Sequence, residues 1–124
     1  MDRKELQKRT RDFHVAIIKL CTDFPKNAAG FETAKQLIRA AGSVGSNYRA
    51  TARSKSDADF IHKIEIVLEE ADESHYWLQI VKEAKLRTGD EVDWLIDEAN
   101  QLTAIFAAAD KTAKANKRKN IGFK

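Results

Sequence analysis

The stretch RAAGSVGSNYRATARSKSDADFIHK, Arg39 to Lys63, decides how the rest of the chain is read. Its first half sets Ala40, Ala41, Gly42, Ser43, Gly45 and Ser46 inside an otherwise helical pattern. Each interior glycine costs a helix about 1 kcal/mol relative to alanine, so something must compensate. Packing is the expected compensation. Ala41 with Gly45, and Gly42 with Ser46, lie four apart on one helical face, and a face without bulk lets another backbone come close. The alternative is a kink at the glycines. In the second half, Ser56 followed by Asp59 is an N-cap pair, and Asp57 suits the positive end of a helix dipole. A new helix therefore starts near Asp57.

Outward from this stretch, hydrophobic periodicity predicts four helices, at about 4–24, 31–53, 57–86 and 89–116, followed by a basic tail, 117–124. In the first, Leu6, Phe13, Ile17, Leu20 and Phe24 form the stripe, Val15 and Ile18 lie off it, and Pro25 stops it. The second carries a stripe thin in bulk: Ala34, Leu37, Ala41, Val44, Tyr48 and Thr51. The third has a heptad seam, Phe60, Ile64, Val67, Ala71, Ser74, Leu78 and Val81, with Ile61, Leu68, Trp77 and Ile80 on other parts of its circumference. Apolar residues on more than one face call for more than one neighbour. Gly89 is read as its stop, and Thr88 with Glu91 as a capping box for the fourth helix. That helix has the seam Val92, Leu95, Ala99, Leu102, Phe106, Ala109 and Ala113. The tail has no such pattern and is expected to fray. Short connections make the expected fold class all-α: a single-domain, up-down-up-down antiparallel four-helix bundle.

Composition agrees. One proline and five glycines in 124 residues are too few for the turns of a sheet protein. The one cysteine, Cys21, excludes an internal disulfide and fits a reducing compartment. No apolar run is long enough for a membrane span, and the start MDRKELQKRTRD lacks a signal-peptide core, so a cytoplasmic protein without membrane contact is expected. The net charge of +3 is unevenly spread. Residues 1–56 hold twelve basic and five acidic residues, residues 57–106 hold four and thirteen, and residues 107–124 hold six and one. Such asymmetry fits an anionic partner, or charge pairing between subunits or neighbouring helices. Within one chain, Arg39, Arg49 and Arg53 are expected to face the acidic row that includes Glu65, Glu69 and Glu73.

At this point the residues carry a resemblance. The runs Gln36-Leu-Ile-Arg39-Ala-Ala, Ser43-Val-Gly-Ser-Asn47-Tyr-Arg49, Ser56-x-x-Asp59-Phe-Ile-His-Lys63 and Glu69-Glu-Ala-Asp-Glu73-Ser-x-Tyr-Trp77-Leu78, with Arg53, resemble the bacterial four-helix-bundle proteins of the 23S rRNA intervening-sequence family over about residues 10–115. Related to that family is the accessory variability determinant of diversity-generating retroelements, a basic bundle that works with a reverse transcriptase and RNA. The resemblance implies a homopentamer, five bundles ringed around a central pore. It brings no established activity. One departure is Ala50, where the family commonly has glutamate three residues after the asparagine; Arg49 or Arg53 must then find another carboxylate.

The chemistry points away from an enzyme. Asp59-x-x-His62 and Asp72-x-x-His75 resemble half-motifs of di-iron bundles, but both lie on the third helix, with no partner motif on another. No metal or cofactor is expected. Cys21 sits at a helix C-terminal end, the wrong end for a thiolate, and with His14 specifies no reaction. Gly42 and Gly45 lie within a helical pattern, not in a phosphate loop between a strand and a helix.

Nucleic-acid binding is the leading expectation. Arg3, Lys4, Lys8, Arg9 and Arg11 at one end of the chain, and Lys111, Lys114, Lys117, Arg118 and Lys119 at the other, are expected to converge where helix one starts and helix four finishes. The bland reading is a solvated helix end that keeps the protein soluble. Ala41, Gly42, Gly45, Ser46, Tyr48, Ile61, Leu68 and Trp77 are expected at packing or subunit contacts, with base stacking the alternative for Tyr48 and Trp77. The competing function is a scaffold oligomer that binds another protein, its positive charge incidental.

Overall fold

Asp2, Asn27 and Ser56 each accept a hydrogen bond from the backbone N–H three residues on, at 2.8, 2.9 and 3.0 Å, and each begins a helix. A computed structural model describes residues 1–122; residues 123 and 124 of the expected tail lie outside the described residues. The helices are α1 (Arg3–Cys21), α2 (Ala28–Ala50) prolonged by a 3-10 turn at Thr51–Arg53, α3 (Asp57–Glu83) and α4 (Asp90–Gly122). Cross-helix pairs fix their directions. Arg3 reaches Tyr48 and Thr51, Arg39 reaches Glu70, Lys82 reaches Asp93 and Lys114 reaches Glu65, so each helix runs antiparallel to the one before it. The architecture is a four-helix bundle in which α3 packs on both α2 and α4, while α1 rests chiefly on α2 and only lightly on α4.

The core is the set of seams that the periodicity marks. Phe13, Ile17, Leu20, Leu37, Val44, Ile64, Val67, Leu78, Val81, Leu95, Leu102 and Phe106 are fully buried, and the small Ala40, Ala41, Ala71, Ser74 and Ala99 are buried between them. Tyr48 is packed against Phe106, ring centroids 5.3 Å apart, and the Arg3 guanidinium lies over the Tyr48 ring, 4.9 Å from its centroid.

Helix boundaries differ from expectation for identifiable reasons. α1 stops at Cys21, and the following turn is held by tighter i→i−3 bonds, Asp23 N–H to the Leu20 carbonyl and Phe24 N–H to that of Cys21, because the residue before Pro25 is disfavoured in the helical region. α2 begins three residues before Phe31 because Asn27 caps it. α3 ends at Glu83 and not at Gly89: Lys85 takes the left-handed conformation (φ 57°) and the Leu86 N–H donates to the Val81 carbonyl at 2.9 Å, the Schellman arrangement. Thr88 and Glu91 form no box. Gly89 (φ 114°) receives the first helical bond, from the Asp93 N–H, and Glu91 accepts from Arg87 at 3.0 Å. The expected fraying after residue 116 is replaced by helix to Gly122.

Candidate nucleic-acid interface

The small residues of α2 face α1 of the same chain. A Cβ built on Gly45 would lie 3.4 Å from the Thr10 hydroxyl and 3.6 Å from that residue's carbonyl carbon, and one on Gly42 would come within 2.9 Å of the His14 ring. The two helices therefore approach closely along this line. Where Gly42 and Gly45 offer no side chain, a cleft of about 500 Å³ opens to solvent. Gln7, Thr10, Arg11 and His14 of α1 form one wall; Ser46 and Arg49 of α2 form the other. These are the i, i+3, i+4 and i+7 positions of one face of each helix. Thr10 is already satisfied, donating to the Leu6 and Gln7 carbonyls at 3.1 and 3.0 Å. Among the described residues no carboxylate lines the cleft, and neither Arg11 nor Arg49 meets one in an ion pair.

Other basic residues are engaged within the chain. Arg9 grips the buried Glu98 through two bonds, 2.8 and 2.6 Å, and adds one to Gln101 at 2.9 Å. Lys8 pairs with Asp12, and Lys114 with both Asp110 and Glu65. The Asp110 carboxylate is buried, with Oδ1 unpartnered. Arg87 ties the α3–α4 connection to Asp23 at 3.0 Å.

The expected ion-pair map needs correction. Arg39 meets Glu70 at 2.9 Å and also Glu73, but Arg49 and Arg53 meet no carboxylate among the described residues, and Glu65 turns to Lys114 of α4. Arg49 points to the α1 side of α2, and Arg53 lies past α2 in the 3-10 turn. Trp77 donates to Glu73 at 3.2 Å and is half-buried, as is Leu68, while Ile61 is buried.

Nor does α1 start where α4 finishes. The Arg9–Glu98 pair sets the first turn of α1 about level with residue 104, so α4 continues for about 27 Å past it at 1.5 Å per residue. Lys111 lies within about three turns of Arg3, and Lys117, Arg118 and Lys119 about 20 Å or more along the axis. The basic ends form two regions. Lys4, Lys111, Lys117, Arg118 and Lys119 have no ion-pair partner among the described residues. Gln7 and His14 were not expected here; their three- and four-residue spacing from Arg11 is the signal that marks them.

Among the described residues no three His, Cys, Asp or Glu side chains group so as to hold a metal ion, and no helix is long and apolar enough to cross a membrane. Burial pushes the Cys21 thiol up to about 11, away from the range of a reactive nucleophile.

The solved structure of a Bacteroides thetaiotaomicron protein of unknown function, from the S23 ribosomal protein family, is similar at 26% identity and a TM-score of 0.80, covering 90% of this chain and 99% of that one. No curated protein matches. The model of the 23S rRNA-intervening sequence protein family matches residues 3–108, most of all four helices. The chain belongs to the 23S rRNA-intervening sequence protein family.

Proposed function

We propose that this protein is a non-enzymatic, oligomeric bundle that binds RNA or DNA through its basic surfaces, as an accessory to a reverse transcriptase or to an rRNA-associated process. The observation that carries this reading is the set of cations left without carboxylates: Arg11 and Arg49 on the α1/α2 side, and Lys117, Arg118 and Lys119 on the α4 extension. Lys8, Arg9, Arg39, Lys63, Lys82, Arg87 and Lys114, by contrast, are neutralised in ion pairs within the chain. Exposed unpaired cations gain by meeting phosphates and releasing counterions. No base-reading motif accompanies them, so affinity without marked sequence preference is expected.

The competing reading is a scaffold that binds another protein. Phe31, Tyr76 and Trp94, exposed at 61%, 53% and 59%, favour it. A salt titration of binding to mixed-sequence RNA and DNA separates the two. The nucleic-acid reading expects log affinity to fall steeply with log salt, by about 0.7 per phosphate contacted on a single strand, and a shallower slope after Lys117, Arg118 and Lys119 are changed to glutamine. A flat response favours the scaffold. The nucleic-acid proposal also holds that copies assemble, as a ring of five.

A further inference from the structure

We propose that the cleft between α1 and α2 is a phosphate site, holding one phosphate group between Arg11 and Arg49. It rests on the nucleic-acid reading for the source of that phosphate, and on the cleft itself for the chemistry. Two guanidinium groups from different helices line one cavity that no carboxylate lines, so an anion entering it meets two cations and no competing acidic group. Arg3, Arg9, Arg39 and Arg87 are each tied to a protein acceptor, whereas Arg11 and Arg49 share this cavity with no carboxylate to hold either of them. Guanidinium presents paired N–H donors that match phosphate oxygens. The Gln7 amide, the His14 ring and the Ser46 hydroxyl add donors around the same space.

The floor explains the glycines. α2 bears the helical cost of Gly42 and Gly45, yet a Cβ at Gly45 would meet Thr10 only at ordinary contact distance, so close packing does not account for both. What their bare backbone provides is depth. A volume of about 500 Å³ falls in the range of small-molecule sites and exceeds the needs of a bare phosphate, leaving room for the nucleoside attached to it.

The test uses the full chain with inorganic phosphate, adenosine monophosphate and a short single-stranded RNA as probes, reading thermal midpoint and, for RNA, fluorescence anisotropy. The unaltered protein is expected to rise in midpoint with added phosphate or adenosine monophosphate. The double variant Arg11→Gln/Arg49→Gln should lose that response and bind RNA about tenfold or more weaker, while the Lys117→Gln/Arg118→Gln/Lys119→Gln variant keeps the phosphate response. Gly42→Ala, which raises the floor and retains both guanidinium groups, should weaken the mononucleotide more than phosphate, and serves where the double variant fails to fold. RNA bound better than the mononucleotide marks a backbone phosphate as the source; the reverse marks a free nucleotide. Steep salt-dependent RNA binding that the cleft variants leave unchanged overturns this proposal and leaves the nucleic-acid reading standing. Phosphate and mononucleotide binding without RNA binding does the opposite. No response of the unaltered protein to phosphate or mononucleotide also overturns it.

Discussion

Of the four glycines whose surroundings the structure describes, the one with least freedom is Gly30. A Cβ there would lie 1.9 Å from the Pro25 carbonyl oxygen and 3.0 Å from its carbon, both backbone atoms that cannot step aside. Gly30→Ala is expected to cost about 2–3 kcal/mol, and Gly45→Ala, whose methyl meets Thr10 at ordinary distance, to be neutral or stabilising by up to about 1 kcal/mol. Urea unfolding of the two variants measures the difference. Sequence order does not show this. Gly42 and Gly45 stand out because they interrupt a helical pattern, whereas Gly30 looks like connection, and only the folding back of the chain brings a carbonyl against it. Cys21 gives a pH prediction. Its folded value, about 11, lies above the ordinary 9.0, so the fold favours the neutral thiol. The stabilisation is therefore complete below pH 9 and lost as pH rises through 11. Unfolding at pH 8 and 10.5 should show a larger loss for the native chain than for Cys21→Ala.

At the scale of elements, α1 is the least secured, resting on α2 and clamped to α4 mainly by Arg9 with Glu98. Removing the arginine strands a buried carboxylate, so Arg9→Ala is expected to cost about 2–3 kcal/mol. In native-state hydrogen exchange, amides of α1 should speed up well beyond those of α3. A uniform increase across all four helices would show instead that α1 opens only with the whole bundle. The number of helices and their inward faces were legible because heptad spacing is local. The Arg9–Glu98 pair was not, since residues 89 positions apart meet only through the bundle. Nor was the end of α4: apolar periodicity stops at Ala113, but Ala, Lys and Arg are strong helix formers and carry the helix on without it.

Across the whole molecule, charge is divided by side. The α1–α2 hairpin, with its flanking residues 1–56, is basic, and residues 57–106 are acidic. On the proposed function, a polyanion is expected to be turned away from α3 and drawn to the α1/α2 side, oriented before contact. Phe31, Tyr76 and Trp94 stand exposed, and an assembly of copies is a proposal with its own test. Light scattering at micromolar concentration should give a multiple of 14.0 kDa; a 14.0 kDa particle throughout would remove the proposed ring. The division itself was readable by counting residues, but which cations stay free within it was not, because that depends on which side of α2 each arginine takes.

The Pro25 carbonyl pressed against Gly30 has one more effect, on how copies can combine. Exchanging α1 between two chains requires the segment joining it to α2 to straighten into a hinge. A corner with no slack, tied by the Asn27 cap, resists that straightening, so in any assembly of copies each chain is expected to keep its own first helix.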